Sequence, residues 1–356
     1  METAAQYTAS APLTAATPTP SVPGAAVSVG PKAMRAVVHN RYGAPEMLAL
    51  RSVRRPDPQP TEVLVRVHAA GLHIGDCFAV RGTPFAMRLV TGLLKPKVGI
   101  PGFDLAGTVE AVGSEVTRFR PGDAVFGCGN GSCAEFVAVE QDTLAAKPDG
   151  LSFEQAAAVP TSALAALHAL RDVASLQAGD RVLVNGASGG VGSFAVQLAK
   201  SLGAEVTGVC STKNVEMVRS LGADHVIDYT REDFTEGGAI YDLVFDNIEN
   251  RSLSDCRRAL APKGMLVLNS GTGATGVRML MRLLKPLVVS PFVGHTLRRY
   301  LSVPNHADLT ELAALAESGA IVPRIDKTYA LEQTAAALVH IESGRARGKV
   351  VVRVGL

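Results

Sequence analysis

The chain has 356 residues, with 35 basic and 33 acidic side chains and a net charge of +2 at pH 7. Those charges are interspersed rather than blocked, which argues against a nucleic-acid partner and leaves a small, near-neutral substrate as the default. A 47% hydrophobic and 19% charged composition excludes a chain disordered throughout, and the length exceeds the roughly 100 to 200 residues of one domain, so two are expected.

Five cysteines, Cys77, Cys128, Cys133, Cys210 and Cys256, form no C-x-x-C pair, and their odd number resists a complete disulfide framework. They read as reduced thiols of a cytoplasmic protein. The N-terminus lacks the basic and apolar regions of a secretory signal. No apolar run approaches the ~20 residues of a membrane span, so no stable membrane insertion is expected.

Residues 1–33, rich in Ala, Thr and Pro without periodicity, predict a disordered tail. From Met34 short β-type runs follow, separated by Pro and Gly: 35–39, 62–69, 107–112, 123–126 and 134–139. Ser152 is a candidate N-cap for an Ala-rich helix. Strands and helices then alternate: strand 181–185, helix 190–202, strand 205–209, helix 215–221, strand 241–245, helix 253–260 and strand 265–268. That alternation implies a parallel sheet covered on both faces. Helices at 307–318 and 331–342 and a strand at 349–354 close the chain.

Ala187-x-Gly189-x-x-Gly192 follows the first strand of this run and opens its helix, the context that the dinucleotide fingerprint requires. Such a turn presents unpaired N–H groups and a helix dipole to a pyrophosphate. The next strand ends Cys210-Ser211-Thr212-Lys213, with no carboxylate for a ribose 2′-hydroxyl. Two hydroxyls and an ammonium suit a 2′-phosphate, so NADPH is expected over NADH.

With these residues in view, the chain resembles the medium-chain dehydrogenase/reductases, in their zinc-independent, quinone oxidoreductase-like (zeta-crystallin-like) branch. The resemblance rests on Met34–Val38, Glu62–Val67, Ala70–Asp76, Pro101–Val109, Pro121–Asp123, Gly186–Gly192, Leu221–Asp224, Val226–Tyr229 and Arg347–Val351. It implies an α/β protein with a GroES-like β-barrel catalytic domain over 34–155, completed by 302–356, and a Rossmann NADPH-binding domain over 156–301. By that resemblance Ser188, Gly190, Val191, Ser211, Lys213, Tyr229 and Asn247 join Gly189 as cofactor contacts, with Leu268 near the nicotinamide. A homodimer is implied too, joined through an apolar edge strand expected near Leu287–Ser290.

Where zinc members carry a Cys and a His-Glu pair, this chain has His73 and Phe103-Asp104, and the four-cysteine structural zinc lobe is missing. Without a Lewis acid, a quinone or an α,β-unsaturated carbonyl is a better hydride acceptor than a simple ketone. His73 is the candidate proton or hydrogen-bond donor, from the side chain that titrates nearest neutrality, and Asp76 is expected to brace the local turn. Substrate choice is expected to lie with 78–94 and 276–301. Two other readings share the glycine loop: a tailoring enoyl or ketone reductase for a bulky polycyclic substrate, and a non-enzymatic NADPH-binding protein.

Overall fold

The computed structural model describes residues 33–355 except 86, 239, 270–284 and 287. The tail therefore lies outside the described residues, save Ala33, which is already paired in β1 rather than disordered.

The first strands are β1 (Ala33–Val38), β2 (Ala49–Arg54), β3 (Glu62–Leu72), β4 (Asp104–Val112), β5 (Ala124–Cys128), β6 (Phe136–Glu140) and β7 (Leu144–Ala146). β3 shows how sequence builds the sheet. Val63, Val65 and Val67 alternate into one core, as period-two side chains must. A register irregularity between Val67 and Ala69 then shifts the phase. Ala70 and Leu72 carry on into the same core, while Ala69 joins the main cluster on the other side.

Next come β8 (Arg181–Asn185), β9 (Glu205–Cys210), β10 (His225–Asp228), β11 (Tyr241–Asp246), β12 (Leu260–Leu268) and β13 (Thr296–Arg299). All pair in parallel, in the order β10-β9-β8-β11-β12-β13. This is the doubly wound Rossmann order, whose direction reverses between β8 and β11 and opens a crevice at the strands' C-terminal ends. Val182, Leu183 and Val184 are all fully buried, as a strand covered on both faces requires.

The chain then returns. β14 (Ile325–Ala330) pairs with β15 (Lys349–Arg353), and β15 lies antiparallel to β3, with Ala70 opposite Val352. The last strands thus complete the sheet of β3 to β7, while β1 and β2 pair separately.

One expectation needs correction. Of the strand expected at Leu287–Ser290, Leu287 lies outside the described residues, Val288 and Val289 are helical, and Ser290 opens a 3-10 turn, Ser290–Phe292. Pro286 and Pro291 bracket the segment, and each lacks the N–H a ladder needs. Val289 instead packs against the buried cluster that includes Leu266 and Leu297. Among the described residues β13 is the edge strand on this side of the sheet, and β10 is the other edge. Arg278, Arg282 and the other residues up to 284 in the second substrate-side segment lie outside the described residues.

Candidate active site

The glycine loop joins β8 to the helix Gly190–Ser201. Gly186 has φ +80°, a backbone open to glycine and costly for other residues. A Cβ on Gly192 would meet the Gly186 carbonyl at 2.1 Å, so helix and strand approach too closely for any side chain. At Gly189 the protein itself makes no such demand, since a Cβ there would meet only the Gly186 oxygen at an ordinary 3.4 Å. The missing side chain leaves open space at the first turn of a helix, a cradle suited to an anion.

The ends of the neighbouring strands gather most of the remaining candidates. Ser211 follows β9, and Asn214, which the sequence reading passed over, donates from Nδ2 to Ser188 Oγ at 3.0 Å and to Ser211 Oγ at 3.3 Å. Lys213 is exposed, and Tyr229, whose N–H bonds the Cys210 carbonyl at 3.0 Å, is 54% exposed. Val191 packs from the helix's first turn onto the main core.

Asp228 is a second surprise, because it lies beside Cys210 across the β9–β10 pair. No acid stands at the end of β9 itself, and the parallel register brings one in from the next strand. The Thr212 hydroxyl, donating at 2.6 Å, heads the interactions that hold this carboxyl below the usual range. Thr230 donates to it from both N–H and hydroxyl, and Arg231 lies 3.5 Å away.

Asn247 sits at the end of β11. Its Nδ2 donates to the Asn185 carbonyl at 3.2 Å and its Oδ1 accepts from Asn269 at 2.9 Å, so both ends of the amide brace strand termini. Leu268 is buried at the end of β12, where it lines a cavity with Glu249, Arg251, Lys285 and Arg299. Asp246 accepts from Asn185 Nδ2 and from the N–H groups of Ile248 and Glu249. Burial nonetheless pushes its carboxyl above the usual range.

On the other sheet, β3 delivers His73 as the N-cap of the helix Ile74–Arg81. The Gly75 N–H donates to His73 Nδ1 at 3.0 Å, and the His73 N–H donates to Asp76 Oδ2 at 2.8 Å. This reciprocal box fulfils the bracing expected of Asp76, whose carboxyl burial pushes upward. Because Nδ1 accepts, the neutral ring carries its proton on Nε2. Nε2 is buried and has no hydrogen-bond partner among the described residues; Asp76 Oδ2, at 3.7 Å, is too far. Phe103 stands edge-on to the ring, centroids 6.5 Å apart.

Asp104 is fully buried. It accepts from the Thr161 N–H at 3.0 Å, from the Thr161 hydroxyl, and from Lys349 Nζ at 3.1 Å. Among the described residues no three His, Cys, Asp or Glu side chains cluster as a metal site, and no helix is long and apolar enough to cross a membrane. All five cysteines are free and buried.

The glycine loop between β8 and its helix, and the buried His73 Nε2 unpaired among the described residues, fit a two-domain oxidoreductase. The comparisons agree. Residues 59–169 match the alcohol dehydrogenase GroES-like domain and residues 221–352 the zinc-binding dehydrogenase family. A quinone oxidoreductase of Pseudomonas aeruginosa is 36% identical over 330 residues, covering 87% of this chain and 97% of that protein. An NADPH-dependent alkenal/one oxidoreductase of Arabidopsis thaliana is 33% identical over 337 residues, covering 90% and 80%. The solved quinone oxidoreductase of Coxiella burnetii superposes with a TM-score of 0.79 at 30% identity, over 91% of this chain and 100% of that one. The chain belongs to the medium-chain dehydrogenase/reductase family, in its quinone oxidoreductase-like branch. It is accordingly an oxidoreductase, and the non-enzymatic reading is not retained.

Proposed function

We propose that the protein is an NADPH-dependent reductase that passes hydride to a quinone or an α,β-unsaturated carbonyl without zinc. The observation that carries this reading is the locked tautomer of His73. Its cap to Gly75 occupies Nδ1 and leaves Nε2–H as a buried donor without an acceptor among the described residues. A buried donor left unpaired costs about 1 to 3 kcal/mol, which an oxyanion developing on the substrate would relieve.

Bound in the cradle, NADPH would supply the hydride. Gly189, Gly190 and Val191 would offer N–H groups at the helix N-terminus to the pyrophosphate. Ser188 and Ser211, tied together by Asn214, would face the adenosine ribose, with Lys213 and Tyr229 flanking its 2′-phosphate. The Asp228 carboxylate, turned onto Thr212, Thr230 and Arg231, would not stand against that phosphate. Asn247 would act by bracing the strand ends, and Leu268 would wall the nicotinamide side.

The donor set argues for a metal-free reaction, although one matched family is described by its zinc. Phe103 has no ligand atom, His73 Nδ1 is taken by the Gly75 N–H, and Asp104 is engaged by Lys349 and Thr161. We place the barrel domain at 34–155 with 302–356 and the cofactor domain at 156–301, and we further propose a cytoplasmic homodimer. The tailoring alternative, an enoyl or ketone reductase of secondary metabolism, shares the cofactor chemistry but takes a bulky polycyclic substrate. The deciding experiment follows NADPH oxidation across a panel of quinones, small enones and polycyclic enones. Tight NADPH binding with no turnover on any member would overturn the proposal.

A further inference from the structure

Lysine is among the residues least often buried, yet Lys349 is 2% exposed, beside a fully buried Asp104. A buried ion pair is a poor source of stability, because desolvating both charges offsets much of their attraction, and apolar replacements are often as stable. Such pairs make more sense as devices that fix a geometry, and the surroundings of this one suggest which geometry.

Lys349 opens β15 and Asp104 opens β4, strands of the same sheet that both flank β3. The Lys349 ammonium also donates to Ser162 Oγ at 3.0 Å, on the helix Pro160–Leu167. Directly above lies the glycine loop: a Cβ on Gly190 would meet Lys349 Cδ and Ser162 Oγ, each at 3.3 Å. The preceding residue, Gly348, forms a parallel bridge with Gly189. On the other side, Asp104 follows Phe103, whose ring faces His73, and Asp104 pairs in register with Gly71, two residues before His73. The ion pair therefore stands between the loop that cradles the cofactor and the strand that delivers the oxyanion donor.

We infer that Lys349 is a positioning residue for hydride transfer: clamped by Asp104 and Ser162 beneath Gly190, its side chain sets how the glycine loop seats against the sheet carrying His73. The inference rests on the reading that this loop holds NADPH. Because both contacts of the ammonium are internal to the protein, it acts on placement of the cofactor rather than as one of its ligands. A displacement of about 1 Å between reacting groups can cost on the order of 100-fold in rate.

Lys349→Met alone strands a buried carboxylate and can fail to fold, so the informative protein is the double variant Asp104→Asn/Lys349→Met, compared with Lys349→Arg. Three readouts are needed: thermal melting, NADPH affinity by fluorescence without substrate, and single-turnover reduction with protiated and nicotinamide-deuterated NADPH. The expected result is a folded double variant that binds NADPH within about threefold of the wild type. Its hydride transfer is slowed ten- to a hundredfold, roughly the scale of a sub-ångström to 1 Å misplacement, with the half-saturating acceptor concentration of the single turnover little changed and a larger observed isotope effect. Lys349→Arg should recover most of the rate.

Wild-type kinetics in a folded double variant would reduce the pair to a structural contact and overturn the inference. A loss of NADPH affinity as large as the loss of rate would also overturn it, by making Lys349 a cofactor ligand. If the wild type itself bound no NADPH, the reading of the loop would fail instead.

Discussion

Replacing His73 separates two properties of its ring, because Nδ1 caps a helix while Nε2 is buried with no partner among the described residues. Serine accepts a helix N–H as well as histidine does but is too short to present a donor where Nε2 stands. Asparagine caps through Oδ1 and keeps an amide N–H to offer. Alanine loses both functions. Removing one preorganised oxyanion donor costs about 100- to 1,000-fold in kcat, or about 2.7 to 4 kcal/mol. Losing an N-cap costs only ~1 kcal/mol of stability, a few degrees of melting temperature in a chain of this size. His73→Ser should thus melt close to the wild type while kcat falls at least about 100-fold. His73→Asn should stay within about tenfold of wild-type kcat, having kept a donor. His73→Ala should lose rate like serine and also melt a few degrees lower. NADPH affinity, titrated by fluorescence, should be unchanged in all three. Wild-type kcat in His73→Ser would refute the assignment, and a raised KM with unchanged kcat would mean that the ring only shapes the pocket.

Four further outcomes are expected. Fluorescence titration should show NADPH bound more tightly than NADH, and Lys213→Ala should lose about 1 to 3 kcal/mol of NADPH affinity with little effect on NADH; tighter NADH binding would reverse the cofactor assignment. Elemental analysis should find no stoichiometric zinc and chelators should leave activity intact, whereas a reproducible one-to-one content would restore a metal mechanism. Light scattering at micromolar concentration should report a dimer joined through β13, whose outer edge has no partner strand among the described residues; a monomer counts against it. Finally, the Asp233 carboxyl is held below the usual range by the N–H and hydroxyl of Thr235 and by Arg251, burial opposing. Its contribution is present above the unfolded value near 3.8 and lost as pH falls through the lower folded value. Asp233→Asn should therefore flatten the fall of melting temperature below about pH 4, and an unchanged slope would show that other carboxylates dominate.

The elements legible in the sequence were those in which burial and periodicity agree. Val182–Val184 is a continuous apolar run inside Arg181–Asn185, and the strand ends where the sequence suggests. Ser152 caps its helix and pairs with Gln155, as an S-x-x-Q box announces. β10 was missed because a four-residue strand, His225–Asp228, leaves no room for a pattern. β14 was missed because Ile325–Ala330, on the edge of its sheet, keeps polar side chains on its exposed positions. The site was legible where a local motif carries it, as in the glycine loop and the capping box at His73. It was illegible where partners are distant in sequence: Lys349 read alone is a solvated cation, and only the return of β15 brings it to Asp104, 245 positions away. Asn214 had no signal at all, since its value lies in two serines that the fold sets beside it.

The pairing of β15 with β3 also governs how the molecule must be made. During synthesis the side of β3 from Ala69 to Leu72 emerges first, and its partner Val350–Arg353 follows only after residues 73–349 have been made. The described parallel sheet lies entirely within that interval. Closing so long a loop is entropically unfavourable until the ends have something already folded to dock upon. The inserted sheet, built from adjacent strand-helix units, supplies that platform first. Meanwhile one flank of the earlier sheet waits with unsatisfied backbone groups and apolar side chains exposed, a template for mispairing with other nascent copies. A protein stopped short of Lys349 should collect in aggregates, even though every residue of its glycine loop is present.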